Sequence, residues 1–144
     1  MFAETSGGMI RVSASVRVIL IATRKRTVRV RLSGEKAFLT IKGINSGATR
    51  AEYEYEIPVS HAEELLKICD GPILEKNRYA LDCNGLIWEV DEFLGENEGL
   101  IVAEVELKSE DQSFECPNWV GPEVTEDSRY FNSNLCAHPF SKWR

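Results

Sequence analysis

Pairs of like charges two residues apart recur along this chain, each in a segment that alternates charged with apolar side chains. Arg29 and Arg31 lie in TVRVRL, and Lys76 and Arg78 in LEKNRYAL. Glu52, Glu54 and Glu56 lie in AEYEYEI, Glu89 and Asp91 in IWEVDEF, and Glu104 and Glu106 in VAEVEL. In an extended strand, residues i and i+2 share a face, about 7 Å apart. Each segment therefore lines one face with a single sign of charge. Arginine and lysine suit phosphate oxygens by charge and donor geometry. Clustered carboxylates suit Mg2+ or Mn2+, which prefer oxygen ligands. Basic strands for phosphates and acidic strands for a divalent cation make a phosphoanhydride site.

The elements that must position these groups follow from hydrophobic periodicity. From Ile10 to Leu20 apolar residues alternate with Arg11, Ser13, Ser15 and Arg17, which predicts a long half-buried strand. Thr27 to Leu32 and Lys36 to Lys42 form a hairpin around Ser33-Gly34-Glu35, and Arg50 to Ile57 is an acidic strand. One helix follows Pro58, with Ser60 as cap, Glu63 completing a capping box, and Ala62, Leu65, Leu66 and Cys69 as its apolar stripe. Gly71-Pro72 stops it. Further strands are expected at about 73–81, 86–93 and 100–107. The tail from Ser109, with Pro117, Pro122 and Pro139, reads as loop with one or two short helices. Residues 1–8 read as a loose leader and 9–144 as one domain. The whole is a mainly antiparallel sheet or barrel with helical packing outside.

A solvent face usually mixes signs so that cross-strand neighbours attract, whereas each of these strands keeps one sign. The opposite faces (Val28, Val30 and Leu32; Tyr53, Tyr55 and Ile57; Trp88 and Val90; Ala103, Val105 and Leu107) are apolar and need a cover. Helix and tail are expected to cover them from outside, turning the charged faces onto a shared lumen. Two like charges about 7 Å apart repel by about 0.6 kcal/mol in water and about 2.4 kcal/mol at an effective dielectric of 20. Several such pairs in a closed interior require opposite strands or ligands to neutralise them. Trp88 and Trp119 read as outer anchors, and Tyr79 falls on the apolar side.

The net charge of −6 argues against a general nucleic-acid binder. The four cysteines (Cys69, Cys83, Cys116 and Cys136) include no C-x-x-C pair, so they read as reduced thiols rather than a zinc site or disulfide framework. His61 and His138 are too scattered for a histidine metal site, and His138 reads as a surface residue. The longest apolar run, Val16 to Ala22, is broken by Arg17 and too short to span a membrane. A cytoplasmic setting is the expectation, with no membrane or nucleic-acid partner. Monomer and homodimer both stay open.

The stretch TVRVRLSGEKAFLTIKG, followed by EYEYEIP, LEKNRY, WEVDEF, VAEVEL and RYFNSNL, resembles the bacterial CYTH proteins, or triphosphate tunnel metalloenzymes, over about residues 26–140. The resemblance implies an eight-stranded antiparallel closed barrel forming a tunnel, with helices outside. It also implies hydrolysis of inorganic tripolyphosphate, a nucleoside triphosphate or another triphosphate with Mg2+ or Mn2+. Adenylate cyclase activity is a lesser implication. By motif, Arg29, Arg31, Lys42, Lys76 and Arg78 are expected to bind phosphate. Glu104, Glu106, Glu52 and Glu54 are expected to serve the metal, with Glu56, Glu89 and Asp91 as further tunnel acids.

The first strand departs from the family pattern. The family opens with Glu-x-Glu-x-Lys and carries a tyrosine before the R-x-R strand, but residues 1–25 contain neither. Arg11-x-Ser13-x-Ser15-x-Arg17 stands there instead, so the catalytic lysine and tyrosine are unassigned. Metal-dependent triphosphate hydrolysis is the leading expectation. The alternatives are a module that binds polyphosphate without turning it over and an ordinary sheet with a solvated charged face.

Overall fold

The alternating segments build one antiparallel sheet. In the computed structural model the strands are β1 (Ile10–Thr23), β2 (Arg26–Ser33), β3 (Lys36–Ser46), β4 (Thr49–Ile57), β5 (Ile73–Cys83), β6 (Leu86–Phe93) and β7 (Ile101–Val105). The helices are α1 (Val59–Lys67) and α2 (Asn132–Ala137). The structure describes the backbone of residues 10–23, 26–46, 49–109 and 111–143, and side chains of 26–44, 51–109 and 111–143. The expected leader and the side chains of Arg11 and Arg17 lie outside the described residues.

The seven strands run in the order β4-β3-β2-β1-β5-β6-β7. Among the described residues there is no eighth strand, and no ladder joins edge strands β4 and β7, so the expected eight-stranded closed barrel is corrected to a seven-stranded sheet. The reason lies in the chain after Val105. The predicted strand 100–107 narrows to Ile101–Val105, and the polar, proline-bearing tail beyond it does not continue the ladder. Glu106 therefore falls past the end of β7.

Tight turns set the register. Asn84 (φ 55°) and Gly85 (φ 80°) both take positive φ between Cys83 and Leu86, as a two-residue Asn-Gly hairpin loop requires. Asp82 Oδ1 accepts a hydrogen bond from Gly85 N at 2.9 Å. β1 is less regular than its alternation suggests. Its ladder slips between Ile19 and Ile21 against β2, and between Arg11 and Ser13 against β5. The second slip sets Arg11 opposite Tyr79 and takes it out of step with Ser13, Ser15 and Arg17, which stand opposite Arg78, Lys76 and Leu74.

Two apolar clusters hold the sheet, one on each face. On the apolar face Val30, Ala37 and Ala62 are fully buried, with Leu32, Leu39, Ile57, Val59, Leu65 and Leu66 packed around them. This is the predicted docking of α1, through Ala62, Leu65 and Leu66. Its expected capping box does not form. The helix starts at Val59 behind Pro58, whose φ of −57° already suits it, and no side chain caps the first turn. Nine residues of α1 cover too little of β4, so Tyr53 and Tyr55, expected on a buried face, are exposed, as is much of Ile41. Farther along the same face Trp88 is buried against Phe114 and Trp119, both edge-on with ring centroids at 5.9 and 5.8 Å.

The second cluster corrects the placement of the tail. Leu74, Phe93, Leu100, Leu135 and Cys136 pack together, flanked by Val102, Tyr130, Phe140 and Trp143. Leu74 shares its strand face with Lys76, and Phe93 shares its face with Asp91. The α2 region therefore fills one end of the charged face, while Phe114 and Trp119 of the tail join α1 in covering the outside. Asn97, almost wholly buried, fastens this end. Its Oδ1 accepts from Phe140 N at 2.8 Å, and its Nδ2 donates to Leu135 O at 3.4 Å.

Candidate active site on the charged face

Cross-strand register gathers the like-charged stripes on one side of the sheet. Arg29 stands opposite Thr40, and Arg31 opposite Phe38. On the far side of β3, Lys42 faces Glu52, Thr40 faces Glu54 and Phe38 faces Glu56. Across β1, Lys76 faces Phe93, Arg78 faces Asp91, and Glu89 faces Glu104. Acids thus occupy both flanks, β4 and β6–β7, and cations the strands between. The face is enclosed at its middle, where Thr40, Lys76 and Asp91 are at most 2% exposed. Burial of these groups disfavours the reading of an ordinary solvated face.

The two flanks differ in how far their cations are satisfied. On the β5–β7 side Arg78 is the hub. Its Nε and Nη2 donate to Asp91 at 2.7 and 2.8 Å, its Nη1 to Glu89 at 2.5 Å, and its Nη2 to Glu104 at 3.4 Å. Lys76 Nζ donates to Asp91 and lies 5.4 Å from the centroid of the Phe93 ring. Hydrogen bonding to Asp91 raises the Arg78 pKa above the guanidinium range against the opposing effect of burial, with Asp91, Glu89 and Glu104 adding charge attraction. Burial alone would raise the Asp91 pKa, but its bonds to Arg78 and the charge of Lys76 hold it below the usual carboxylate value. Two cations against three carboxylates leave this flank one negative charge.

The β2–β4 side has the opposite balance. Arg31 Nη2 reaches Glu54 at 3.5 Å, Lys42 reaches Glu52 at 3.7 Å, and Thr40 Oγ1 donates to Glu54 at 2.9 Å. Arg31 also lies 4.7 Å from the Phe38 ring centroid. Glu56 is turned to the rim, 3.6 Å from Lys36. Arg29, Arg31 and Lys42 against Glu52 and Glu54 leave one positive charge. The Nε atoms of both Arg29 and Arg31 are buried without a hydrogen-bond partner. Burial, then repulsion from Arg31, lowers the Arg29 pKa from its ordinary value, and Glu54 and Glu52 offset part of this.

Charged residues of this kind, in this order along an antiparallel sheet, match a known domain. The model of the CYTH domain matches residues 20–136 of the chain. The chain belongs to the CYTH family. An inorganic triphosphatase of Acetivibrio thermocellus is 51% identical over 122 residues, 84% of this chain and 78% of that protein. An inorganic triphosphatase of Nitrosomonas europaea is 41% identical over 111 residues, 75% and 73% of the two chains. The crystal structure of the inorganic triphosphatase NE1496 superposes with a TM-score of 0.74 at 34% identity, covering 94% of this chain and 90% of that one.

Within this CYTH domain the expected phosphate-binding residues Arg29, Arg31, Lys42, Lys76 and Arg78 share one face. The four acids expected at the metal do not come together. Glu52 and Glu54 lie on edge strand β4, Glu104 lies on β7 at the other edge, and Glu106 is exposed beyond it. Among the described residues no group of three or more His, Cys, Asp or Glu could hold a metal ion. The donor set that fits a hard cation best is Glu89 with Glu104, paired across strands and each about half exposed. Mg2+ is commonly held by one or two carboxylates, substrate phosphates and water, so two acids suffice if the substrate supplies the rest. The burial of Thr40 and its bond to Glu54 had no signal in the sequence. The pairing of Asp91 with two cations also had none, because it depends on the β5–β6 register.

Proposed function

We propose that this CYTH protein hydrolyses a triphosphate, inorganic tripolyphosphate foremost, on the charged face of its sheet. The observation that carries the proposal is the pair of buried Nε donors of Arg29 and Arg31. An unsatisfied buried donor costs about 1–3 kcal/mol, and a phosphate oxygen relieves that cost while neutralising both charges. The names of two relatives and of a superposed structure, each an inorganic triphosphatase, support the same reading.

Arg29, Arg31 and Lys42 hold the anion, and Lys76 and Arg78 face it from across β1. Triphosphatases of the family are metal-dependent in general. In this chain Glu89 and Glu104 would hold Mg2+ or Mn2+, which supplies charge neutralisation on the phosphate oxygens. Water attacks the terminal phosphorus and a P–O bond forms. The bond to the bridging oxygen breaks, its electron pair leaves with pyrophosphate, and the proton of the attacking water passes to solvent. The arginines and lysines offset charge that builds on the transferred and leaving oxygens. The free thiols of Cys69, Cys83, Cys116 and Cys136 suit the cytoplasmic setting included in this proposal. No helix among the described residues is long and apolar enough to cross a membrane.

Phosphate release from tripolyphosphate with Mg2+ or Mn2+ tests the assignment. Turnover by the wild-type chain and its loss in Glu104→Ala are expected; equal release by both rejects hydrolysis on this face. A second reading, an anion-binding module without turnover, draws on the lack of a three-carboxylate group among the described residues. Tight tripolyphosphate binding in EDTA with no product under any metal would favour it.

A further inference from the structure

Asp91 is the most deeply enclosed acid of the charged face, 1% exposed, and it touches two cations at once. One oxygen accepts from Arg78 Nε at 2.7 Å; the other accepts from Arg78 Nη2 at 2.8 Å and from Lys76 Nζ. Fork-to-fork contact of this kind fixes the plane of a guanidinium as well as its position. Glu89 and Glu104 touch the same guanidinium but are about half exposed, so water competes for them. Lys76 is confined as well, between Asp91 and the Phe93 ring. A carboxylate with both oxygens occupied by cations, Lys76 buried and Arg78 half-buried, has little capacity left for a metal.

We propose that Asp91 is a positioning residue: the buried counter-ion that locks Lys76 and Arg78 into one rigid two-cation unit facing the substrate, and not a metal ligand. The assignment rests on the proposed hydrolase reading for its consequence in turnover, but the lock itself is a property of the resting protein. Charge alone would not need such a lock. Flexible cations bind a polyanion in its ground state, whereas cations held in advance cost no reorganisation when charge shifts in the transition state. Removing the negative charge should therefore leave ground-state anion binding intact and lower the rate.

The test is Asp91→Asn, which keeps shape and removes charge. Three quantities are read: tripolyphosphate affinity in EDTA by calorimetry, kcat with its Mn2+ dependence, and the mobility of the Arg78 Nε–H group by 15N relaxation, assigned through Arg78→Lys. The lock predicts a rigid Arg78 Nε–H in the wild type and an averaged one in Asp91→Asn. It also predicts affinity equal or up to about threefold tighter, and kcat at least tenfold lower at every Mn2+ concentration. Asp91→Glu should stay defective, because the longer side chain displaces the fork. If saturating Mn2+ restores kcat in Asp91→Asn, Asp91 is a metal ligand and the assignment is wrong. If affinity and kcat fall together with an unchanged Arg78 signal, its role is packing and the assignment is again wrong. Should Asp91→Asn fail to fold, Lys76→Met/Asp91→Asn removes both buried charges; a kcat no lower than that of Lys76→Met overturns the proposal. A mobile Arg78 in the wild type refutes the lock whether or not the protein hydrolyses triphosphate, whereas absent wild-type turnover with a rigid Arg78 refutes only the hydrolase reading.

Discussion

Replacing Arg29 with methionine should move affinity and stability in opposite directions. Arg29 is partly buried beside Arg31, its Nε has no partner, and burial together with Arg31 already disfavours its charge. In the resting protein this cation is a liability. At about 7 Å and an effective dielectric of 20, repulsion between two unit charges reaches about 2.4 kcal/mol. Partial exposure and the nearby Glu52 and Glu54 reduce that, so a gain of about 1 kcal/mol is the working figure. For a chain of this length such a gain raises Tm by about 4 °C, and methionine fills the volume of the lost stem. With an anion bound the sign reverses. A hydrogen bond to a charged group contributes about 1.5–3 kcal/mol, and each 1.4 kcal/mol is a tenfold change in Kd. Arg29→Met should thus weaken tripolyphosphate binding in EDTA by about 10- to 140-fold. Titration calorimetry gives the affinity and thermal denaturation without ligand gives Tm. A variant whose Tm falls along with its affinity, or whose affinity is unchanged, would show that Arg29 is a structural cation and not an anion ligand.

Three further outcomes follow from the same geometry. The Asp91 pKa is depressed because Arg78 and Lys76 outweigh the effect of burial, so its contribution is present above the unfolded carboxylate value of about 3.9 and lost as pH falls through the folded value. The stability gap between wild type and Asp91→Asn, from urea midpoints, should be constant above about pH 5 and shrink toward pH 3; a gap that widens in acid contradicts the assignment. Asn97→Ala removes both bonds that fasten the α2 region and should cost about 1–3 kcal/mol in urea unfolding, so an unchanged midpoint would mean that the apolar cluster holds the tail unaided. Gly85→Ala forces a side chain to φ 80° at the β5–β6 turn and should cost about 1–2 kcal/mol; Gly121→Ala, with open space and no positive φ, should be neutral.

Much of this arrangement could be read from residue order. Alternation in TVRVRL, AEYEYEI and IWEVDEF assigned strands and faces, and the stripe of Ala62, Leu65 and Leu66 located the helix that covers β2 and β3. Three expectations failed for physical reasons. Tyr53 and Tyr55 alternate correctly, but alternation gives a face and not its cover, and α1 is too short to reach them. Glu106 continues the Glu104 pattern, yet β7 ends at Val105. Ser60 and Glu63 have capping-box spacing, but the helix is capped at Pro58, two residues too early for them to act. The eighth strand came from family resemblance rather than from the chain, which shows seven strand-forming segments.

By itself the sequence determined which groups share a face, because a strand's side-chain period of two leaves no freedom in that matter. It also determined the signs of charge that each strand carries. Which cation meets which carboxylate was decided by register and turn geometry, and those are properties of the folded sheet. The Asn84-Gly85 turn sets Arg78 opposite Asp91, so the β5 cations are compensated inside the protein. The β2–β3 hairpin sets Arg29 opposite the neutral Thr40, which leaves its buried Nε donor without a partner. Five cations that look alike in the chain thus divide into a pair saturated by Asp91 and a group in which Arg29 and Arg31 keep buried Nε donors without a partner, a division that only long-range pairing could make.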